Sequence, residues 1–304
     1  MKTVIITGAN KGLGFYTTLN IAKNKDYRII IASRDSEKSL RAIDEIISKT
    51  GNQNIQFIPL DLADLNSVKL FSEKIKNNNF KIDGLINNAG IQYISPTKLT
   101  KQNYELTFGV NHLGHFLLTN LLVPQLNPFC RIVNVASFVH HPNAKTRMRP
   151  PNYTKAIDLA IVNDNTTKDF VQKGTERYST SKLCNVLFTY KLADVLKEKS
   201  INVNAFDPGM MPGTGLADDY NAIQRFAWKY IFPVFTLFKK GVNSPSTSGS
   251  DLANLILNDD FKNVTGKYFV RNVIDDSSSE SKDKAKQDDL WNTSLDLCKT
   301  YIKN

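Results

Sequence analysis

The chain has 304 residues and a formal net charge of +10, from 39 Lys and Arg against 29 Asp and Glu. Its hydrophobic fraction of 41% and charged fraction of 22% are those of a globular protein, which excludes a disordered or fibrous chain. No apolar run reaches the roughly 18 residues of a membrane span, and the basic residues are scattered, which argues against a nucleic-acid face. Cys130, Cys184 and Cys298 lie far apart, without metal-ligand spacing, as inert thiols in a reducing compartment would. Strand-like Val4-Ile5-Ile6 follows Met1 closely, so no secretory leader is expected. A cytoplasmic location is expected, with peripheral membrane contact left open.

Apolar runs and helical patterns alternate along the chain. Strands are expected at Thr3–Thr7, Arg28–Ala32, Ile55–Leu60, Gly84–Asn87, Arg131–Ala136, Asn202–Phe206 and Lys267–Val270. Between them, helices are expected at Leu13–Lys25, Ser36–Lys49, Ser67–Asn77, about Lys101–Leu126, Glu176–Lys197 and Ser246–Leu257, with an amphipathic helix at Asp288–Ile302. The strand Arg28-Ile29-Ile30-Ile31-Ala32 shows no alternation, as expected when helices cover both faces of a parallel sheet. The fold class is therefore α/β: a doubly wound, Rossmann-type, mainly parallel seven-stranded sheet with helices on both faces. The whole of 1–304 reads as one domain. It carries a surface insertion at about 139–174, a lid-like segment at about 212–240 and a C-terminal helical tail at about 280–304.

Thr7-Gly8-Ala9-Asn10-Lys11-Gly12-Leu13-Gly14 joins the first strand to the first helix. Glycines there let the backbone turn tightly and approach a pyrophosphate, and the helix N-terminus offers N–H groups to it. The spacing, Gly-x-x-x-Gly-x-Gly, differs from the common dinucleotide fingerprint. At the end of the second strand an NAD-binding chain tends to place a carboxylate for the ribose 2′-hydroxyl. This chain has Ser33-Arg34, with Lys11 in the turn, and two cations suit a 2′-phosphate, so the expected cofactor is NADP(H). Asp61, with Leu62 beside it, can accept from the adenine amino group or cap a helix.

Tyr178 and Lys182 are four apart on an expected helix and so share a face. A neighbouring ammonium favours the phenolate, which lets a tyrosine exchange protons nearer neutral pH. Ser137 ends the fifth strand, at the sheet edge where ligands bind, and its hydroxyl can hold a substrate oxygen. Asn111 can fix a water that relays protons to Lys182.

With these residues in place, the chain resembles the short-chain dehydrogenase/reductase family over nearly its whole length. The motifs occur in family order: Thr7-Gly8-x-x-x-Gly12-x-Gly14, Asn87-Asn88-Ala89-Gly90, Asn111, Ser137 with Tyr178-x-x-x-Lys182, and Pro208-Gly209. The resemblance implies a catalytic tetrad of Asn111, Ser137, Tyr178 and Lys182. It implies that Asn87 to Gly90 line the adenosine side and steady the sheet, with Asn88, Ala89 and Gly90 against the cofactor. Lys182 would also hold the nicotinamide ribose, and Pro208, Gly209 and Thr214 would flank the nicotinamide. Gly14-Phe15-Tyr16, Asn111-His112-Leu113-Gly114-His115-Phe116 and Thr214-Gly215-Leu216 are similar to the branch holding retinol dehydrogenases and light-dependent protochlorophyllide reductases. Two departures stand out. Ser137 and Tyr178 are 41 residues apart, longer than the family gap, and Met210 stands where the protochlorophyllide reductase pattern has Cys.

His112, His115, His140 and His141 have no evident carboxylate or thiol partner, so no metal site is expected. His112 and His115 read as helix packing, and His140-His141 as part of the insertion surface. The aromatic run from Phe226 to Phe238 reads as substrate wall, core, membrane contact or oligomer contact. The expected function is hydride transfer between NADP(H) and a carbonyl or alcohol of an apolar small molecule, with Tyr178 as acid/base. A homo-oligomer is left open. Protochlorophyllide reductase-like C=C reduction and a non-catalytic NADP-binding regulatory module are the alternatives.

Overall fold

The computed structural model describes residues 1–162, 169–212 and 242–302. Its strands are β1 (Lys2–Thr7), β2 (Tyr27–Ser33), β3 (Ile55–Pro59), β4 (Ile82–Asn87), β5 (Leu126–Val135), β6 (Asn202–Asp207), β7 (Lys267–Val270) and β8 (Val273–Asp275). They form one sheet in the order β3-β2-β1-β4-β5-β6-β7-β8. All pairs are parallel except β7 with β8.

Unbroken apolar strands serve two cores at once, because successive side chains leave a strand on opposite faces. Ile5 and Ile30 face one core, with Phe71 from α3 (Leu65–Asn77), Phe116 from α5 (Gly114–Leu122) and Leu187 from α7 (Phe170–Val195). Val4, Ile6, Ile29 and Ile31 face the other, with Ile21 from α1 (Gly12–Ala22), Ile46 from α2 (Ser36–Thr50) and Leu252 from α8 (Pro245–Leu257). The expected doubly wound sheet is present.

Several boundaries differ from the sequence expectation. An eighth strand closes the sheet edge through a tight turn at Arg271, whose φ is +59°. Its three residues are all exposed and carry no burial pattern. The expected long helix from Lys101 breaks into α4 (Leu106–Phe108), a π turn (Gly109–Leu113) and α5. Asn103, at φ +62°, and Glu105, whose carboxylate accepts from Phe108 N–H at 2.7 Å, start the helix later than its apolar pattern does. α7 begins earlier than expected because Asp169 caps it, accepting from Gln172 N–H at 2.9 Å. Within the 139–174 insertion, α6 (Ala156–Ala160) docks on α9 (Lys284–Leu297) through Asp289, which accepts from Tyr153 O–H and Ala156 N–H at 2.8 Å each. The lid-like segment and its aromatic run lie outside the described residues, apart from Pro212. No helix among the described residues is long and apolar enough to cross a membrane.

The helix that carries the glycine turn is held by a close approach. At Gly249 in α8, an added Cβ would stand 2.5 Å from Tyr16 Cβ and 2.9 Å from Thr17 N on α1. Backbone cannot yield there as a side-chain tip can. Gly249→Val is expected to destabilise the fold by about 2–3 kcal/mol, read as a lower urea midpoint at unchanged slope.

Candidate active site

The sheet order reverses between β1 and β4, and the chain ends there are locked together. Asn88 donates from Nδ2 to Thr7 O at 2.7 Å and Gly8 O at 3.3 Å. Thr7 Oγ1 accepts from the N–H groups of Asn88 and Ala89, both at 2.9 Å. It also meets His115 Nε2 at 2.9 Å, while His115 Nδ1 faces Asn111 O at 3.2 Å. A carbonyl only accepts, so Nδ1 bears the proton and Nε2 accepts from Thr7. Burial holds this ring neutral, its pKa lowered to about 4. Neither Thr7 nor His115 has a sequence signal of its own as a pin. Asn87 sits just inside, donating to Thr119 Oγ1 and Asn134 Oδ1.

Gly8 and Gly12 adopt φ of +66° and +59°, which side-chain-bearing residues rarely take. The turn delivers the chain into α1 with Lys11 at the N-cap in extended conformation, its own side chain making no capping hydrogen bond. Such a helix end is an anion site. Gly8, Asn10, Lys11, Gly12 and Leu13 line a cavity of about 1620 Å³. Gly14 does not line it. An added Cβ at Gly14 would lie 2.7 Å from both Gly8 O and Asn88 Nδ2, so this glycine closes the turn instead.

Ser33, Arg34, Asp61, Leu62, Asn88, Ala89 and Gly90 line the same cavity. The Ser33 hydroxyl is engaged with Ser39 at 2.6 Å. Arg34 is exposed, and the neighbouring Asp35 is spent on Lys38: it accepts from Lys38 N–H at 2.9 Å and pairs with its ammonium at 2.6 Å. Lys38 also lines the cavity, a cation that its place four residues past Arg34 could have revealed. Asp61 is not a helix cap; Asp64 caps α3, while Asp61 accepts from Ala63 N–H at 3.0 Å.

Ser137, Tyr178, Lys182, Pro208 and Gly209 line the other end of the cavity. β5 ends at Val135, and Ser137, in extended conformation, opens a short turn. α7 presents Tyr178 and Lys182 to that edge, both buried, with the ammonium 5.6 Å from the phenol ring centroid. Lys182 Nζ donates to Val135 O at 3.0 Å, and Asn185 Nδ2 donates to the same oxygen at 3.0 Å. Burial lowers the Lys182 pKa to about 8, against the opposing field of Asp207.

Asn111 sits fully buried in the π turn, behind the cavity wall. Its Oδ1 accepts from Ile91 N–H at 2.8 Å, and its Nδ2 donates to Ile91 O and Ser181 Oγ, both at 2.9 Å. Both amide hydrogens are thus used, and Oδ1 alone retains capacity for a water. The side chain clamps the strand end that carries Gly90, where an added Cβ would stand 3.6 Å from Lys182 Nζ. Thr214 lies outside the described residues.

The histidines need one correction. His140 is not on the insertion surface but fully buried, its Nδ1–H donating to Ser137 O at 2.7 Å and its Nε2 accepting from Ser278 N–H at 3.1 Å. The 3-10 turn after Ser137 folds it inward against Tyr268, at 4.9 Å between ring centroids. His112 packs among Phe108, Phe116 and Phe188 and meets Ser294 Oγ at 2.9 Å. Among the described residues, no group of three or more His, Cys, Asp or Glu is placed to hold a metal. The three cysteines are free and buried.

The short chain dehydrogenase family model matches residues 2–147, and an AcuH dehydrogenase domain model matches residues 214–300. Human retinol dehydrogenase 13 is 35% identical over 97% of this chain and 84% of its own length. The solved structure of an uncharacterized protein from Mycobacterium paratuberculosis superposes with a TM-score of 0.73 at 28% identity, covering 98% of this chain and 94% of that one. L-sorbose reductase from Gluconobacter frateurii, complexed with NADPH and L-sorbose, shares the fold with a TM-score of 0.64 at 18% identity, covering 88% of this chain and 94% of that one. With its sheet order, its glycine turn and these matches taken together, the chain belongs to the short-chain dehydrogenase/reductase family of oxidoreductases.

Proposed function

We propose that this oxidoreductase uses NADP(H) and moves a hydride between the nicotinamide and a carbonyl or alcohol carbon of a small apolar molecule, with Tyr178 as acid/base. One observation carries the reading: Tyr178, Lys182 and Ser137 open onto the same cavity as the glycine turn that leads into α1. A cavity of about 1620 Å³ exceeds the roughly 300–1,000 Å³ of an ordinary ligand site, so it has room for a dinucleotide and a second molecule.

The residues fit a phosphorylated dinucleotide. The open backbone of Gly8 and Gly12 and the N-terminus of α1 suit the pyrophosphate. Arg34, with its neighbouring carboxylate turned to Lys38, suits the 2′-phosphate. Pro208 and Gly209, at the Tyr178 end of the cavity, would flank the nicotinamide. Bound there, the cofactor supplies or accepts the hydride. In reduction the Tyr178 hydroxyl gives its proton to the carbonyl oxygen, and in oxidation the phenolate takes the alcohol proton. The Ser137 hydroxyl donates to the same oxygen and orients it. Lys182 favours the phenolate from beside the ring, held in place by Val135 O. Asn111 acts through Ile91 and Ser181, keeping strand end and helix in register. Val139, Met148, Val171, Met210 and Met211 put apolar surface on a wall that also carries Gln92, Lys98, Lys145 and Arg147, and that apolar part agrees with the alcohol in the human relative's name.

NADPH oxidation against a panel of apolar aldehydes and ketones tests the reading. Tyr178→Phe is expected to lose about 10²- to 10⁴-fold in kcat while NADPH still binds, as followed by its fluorescence. Equal turnover by wild type and variant would sink the proposal. Arg34→Glu is expected to weaken NADPH about 10- to 100-fold and to leave NADH little changed, which titration of both cofactors reads.

Lys182 also makes a signed prediction about stability. Its pKa falls from 10.5 to about 8 on folding, so between those values the unfolded chain binds more protons and stability rises with pH. Below pH 8 the folded state carries the whole cost of a buried ammonium. Lys182→Met should therefore be more stable than wild type by on the order of 1–3 kcal/mol at neutral pH. Melting curves across pH should show the gap closing towards pH 10.5.

A further inference from the structure

α7 turns one face to the cavity well beyond the tyrosine. Val171, Thr175, Tyr178 and Lys182, spaced four, three and four apart, all line it. At a rise of about 1.5 Å per residue, the wall continues from Tyr178 back to Val171 for about 10 Å. Two segments are fixed to this stretch of helix. The segment after β4 meets it at Gly174, where an added Cβ would run into Tyr93 O and stand 2.6 Å from Ile94 Cα, and at Arg177, whose Nη1 donates to Thr97 Oγ1 at 3.0 Å. The insertion after β5 meets it through Arg149, whose backbone N–H donates to Thr175 Oγ1 at 3.3 Å and whose Nε donates to Gln172 Oε1 at 2.6 Å. These attachments set Lys98 from the first segment, and Lys145 and Arg147 from the second, in the cavity wall. All three are exposed, so they stand at its mouth. Met148 and Val171 put apolar surface on the same stretch.

We propose that the substrate is an elongated amphiphile. Its carbonyl or alcohol meets Tyr178, an apolar chain follows α7, and an oxyanion about 10 Å away, a carboxylate or a phosphate, is met by Lys145 and Arg147. The proposal rests on the reading of Tyr178 given above. Carboxylates do not balance these cations. Among the described residues, the acidic side chains that line the cavity are Asp35 and Asp61, which stand past the ends of β2 and β3. The carboxylates nearest on α7 are engaged elsewhere: Asp169 caps the helix, and Glu176 pairs with Lys173 at 2.7 Å. Glu105 is buried and faces Arg177 at 3.9 Å. A guanidinium matches either oxyanion with two parallel N–H groups, and an ammonium beside it adds a point charge. One exposed ion pair contributes little, but several cations at the mouth of a low-dielectric cleft act together on an anion that enters it. A purely apolar substrate would use the wall of Val171 and Met148 and leave that charge without a role.

Binding to the NADPH complex tests this without turnover. By calorimetry at low salt, ω-hydroxydecanoate is expected to bind about 10-fold more tightly than its neutral amide, which has the same length and shape. Added salt should shrink that ratio. In the double variant Lys145→Gln, Arg147→Gln the ratio should fall to within about twofold. Both side chains are exposed, and the amide is an internal reference, so a general loss of affinity does not imitate the effect. The four-carbon acid and amide should show no such ratio, because their oxyanion cannot reach the mouth while the hydroxyl stays at Tyr178. ω-Hydroxydecyl phosphate separates the two oxyanions: tighter binding than the carboxylate assigns a phosphate, weaker binding a carboxylate. Equal binding of acid and amide overturns the proposal, as does a ratio that the double variant keeps, an equal ratio in the four-carbon pair, or binding of none of these compounds. Failure of the hydride-transfer reading would appear separately, as reduction of ω-oxodecanoate no faster in the wild type than in Tyr178→Phe, whatever the binding ratio.

Discussion

A lysine ammonium buried against the carboxyl edge of a parallel sheet is unfavourable by itself, and the local structure holds it there. Only one carbonyl, Val135 O, accepts from it among the hydrogen bonds described, and Asn185 shares that oxygen. The long α7 fixes the amine beside Tyr178 because residues four apart lie on one helical face. Gly90 leaves the strand end without a side chain where it comes nearest the amine. The π turn at Gly109–Leu113 is a departure from regular helix of the kind that gathers at functional sites. Here it sets Asn111 against the Ile91 backbone.

The two cores make that arrangement affordable. Strands buried on both faces supply apolar contacts throughout the sheet, while polar groups concentrate at its carboxyl ends. Thr7, Asn87, Asn134 and Asp207 are all buried there, and each has hydrogen-bond partners. Buried polar groups with matched partners specify geometry more sharply than apolar packing does. The chain ends at the switch point are therefore rigid where a cofactor has to be met, and the C-terminal helix adds to this from behind. Trp291 packs against Phe116 and Phe188, and Tyr153 and Ala156 bond Asp289.

Legibility in the sequence followed the range of the interactions. The glycine turn, the strand ends and the pair Tyr178 and Lys182 were readable because each depends on neighbours within about one helical turn or one strand. Arg34 was readable as a cation at the end of β2, but that Asp35 turns to Lys38 was not, since it depends on where the helix is capped. His140 was misplaced because its burial depends on Tyr268 and Ser278, far along the chain. β8 was missed because its three exposed residues carry no alternation. Asp207 had no motif of its own, and only the pairing of β6 with β7 shows that its carboxylate accepts from Tyr268 O–H.

By itself, the sequence determined the class of fold, the place of the phosphate-binding turn and the residue types available for acid/base chemistry. These follow from periodicity, backbone freedom at glycine and the spacing of side chains along one element. The tertiary structure alone decided that the phenol, the amine and the serine share one cavity with that turn. It alone decided that Asn111 works as a clamp and Gly14 as a closure. Each of these depends on contacts between residues tens of positions apart, and on burial, which sets the cost of every charge at the sheet edge.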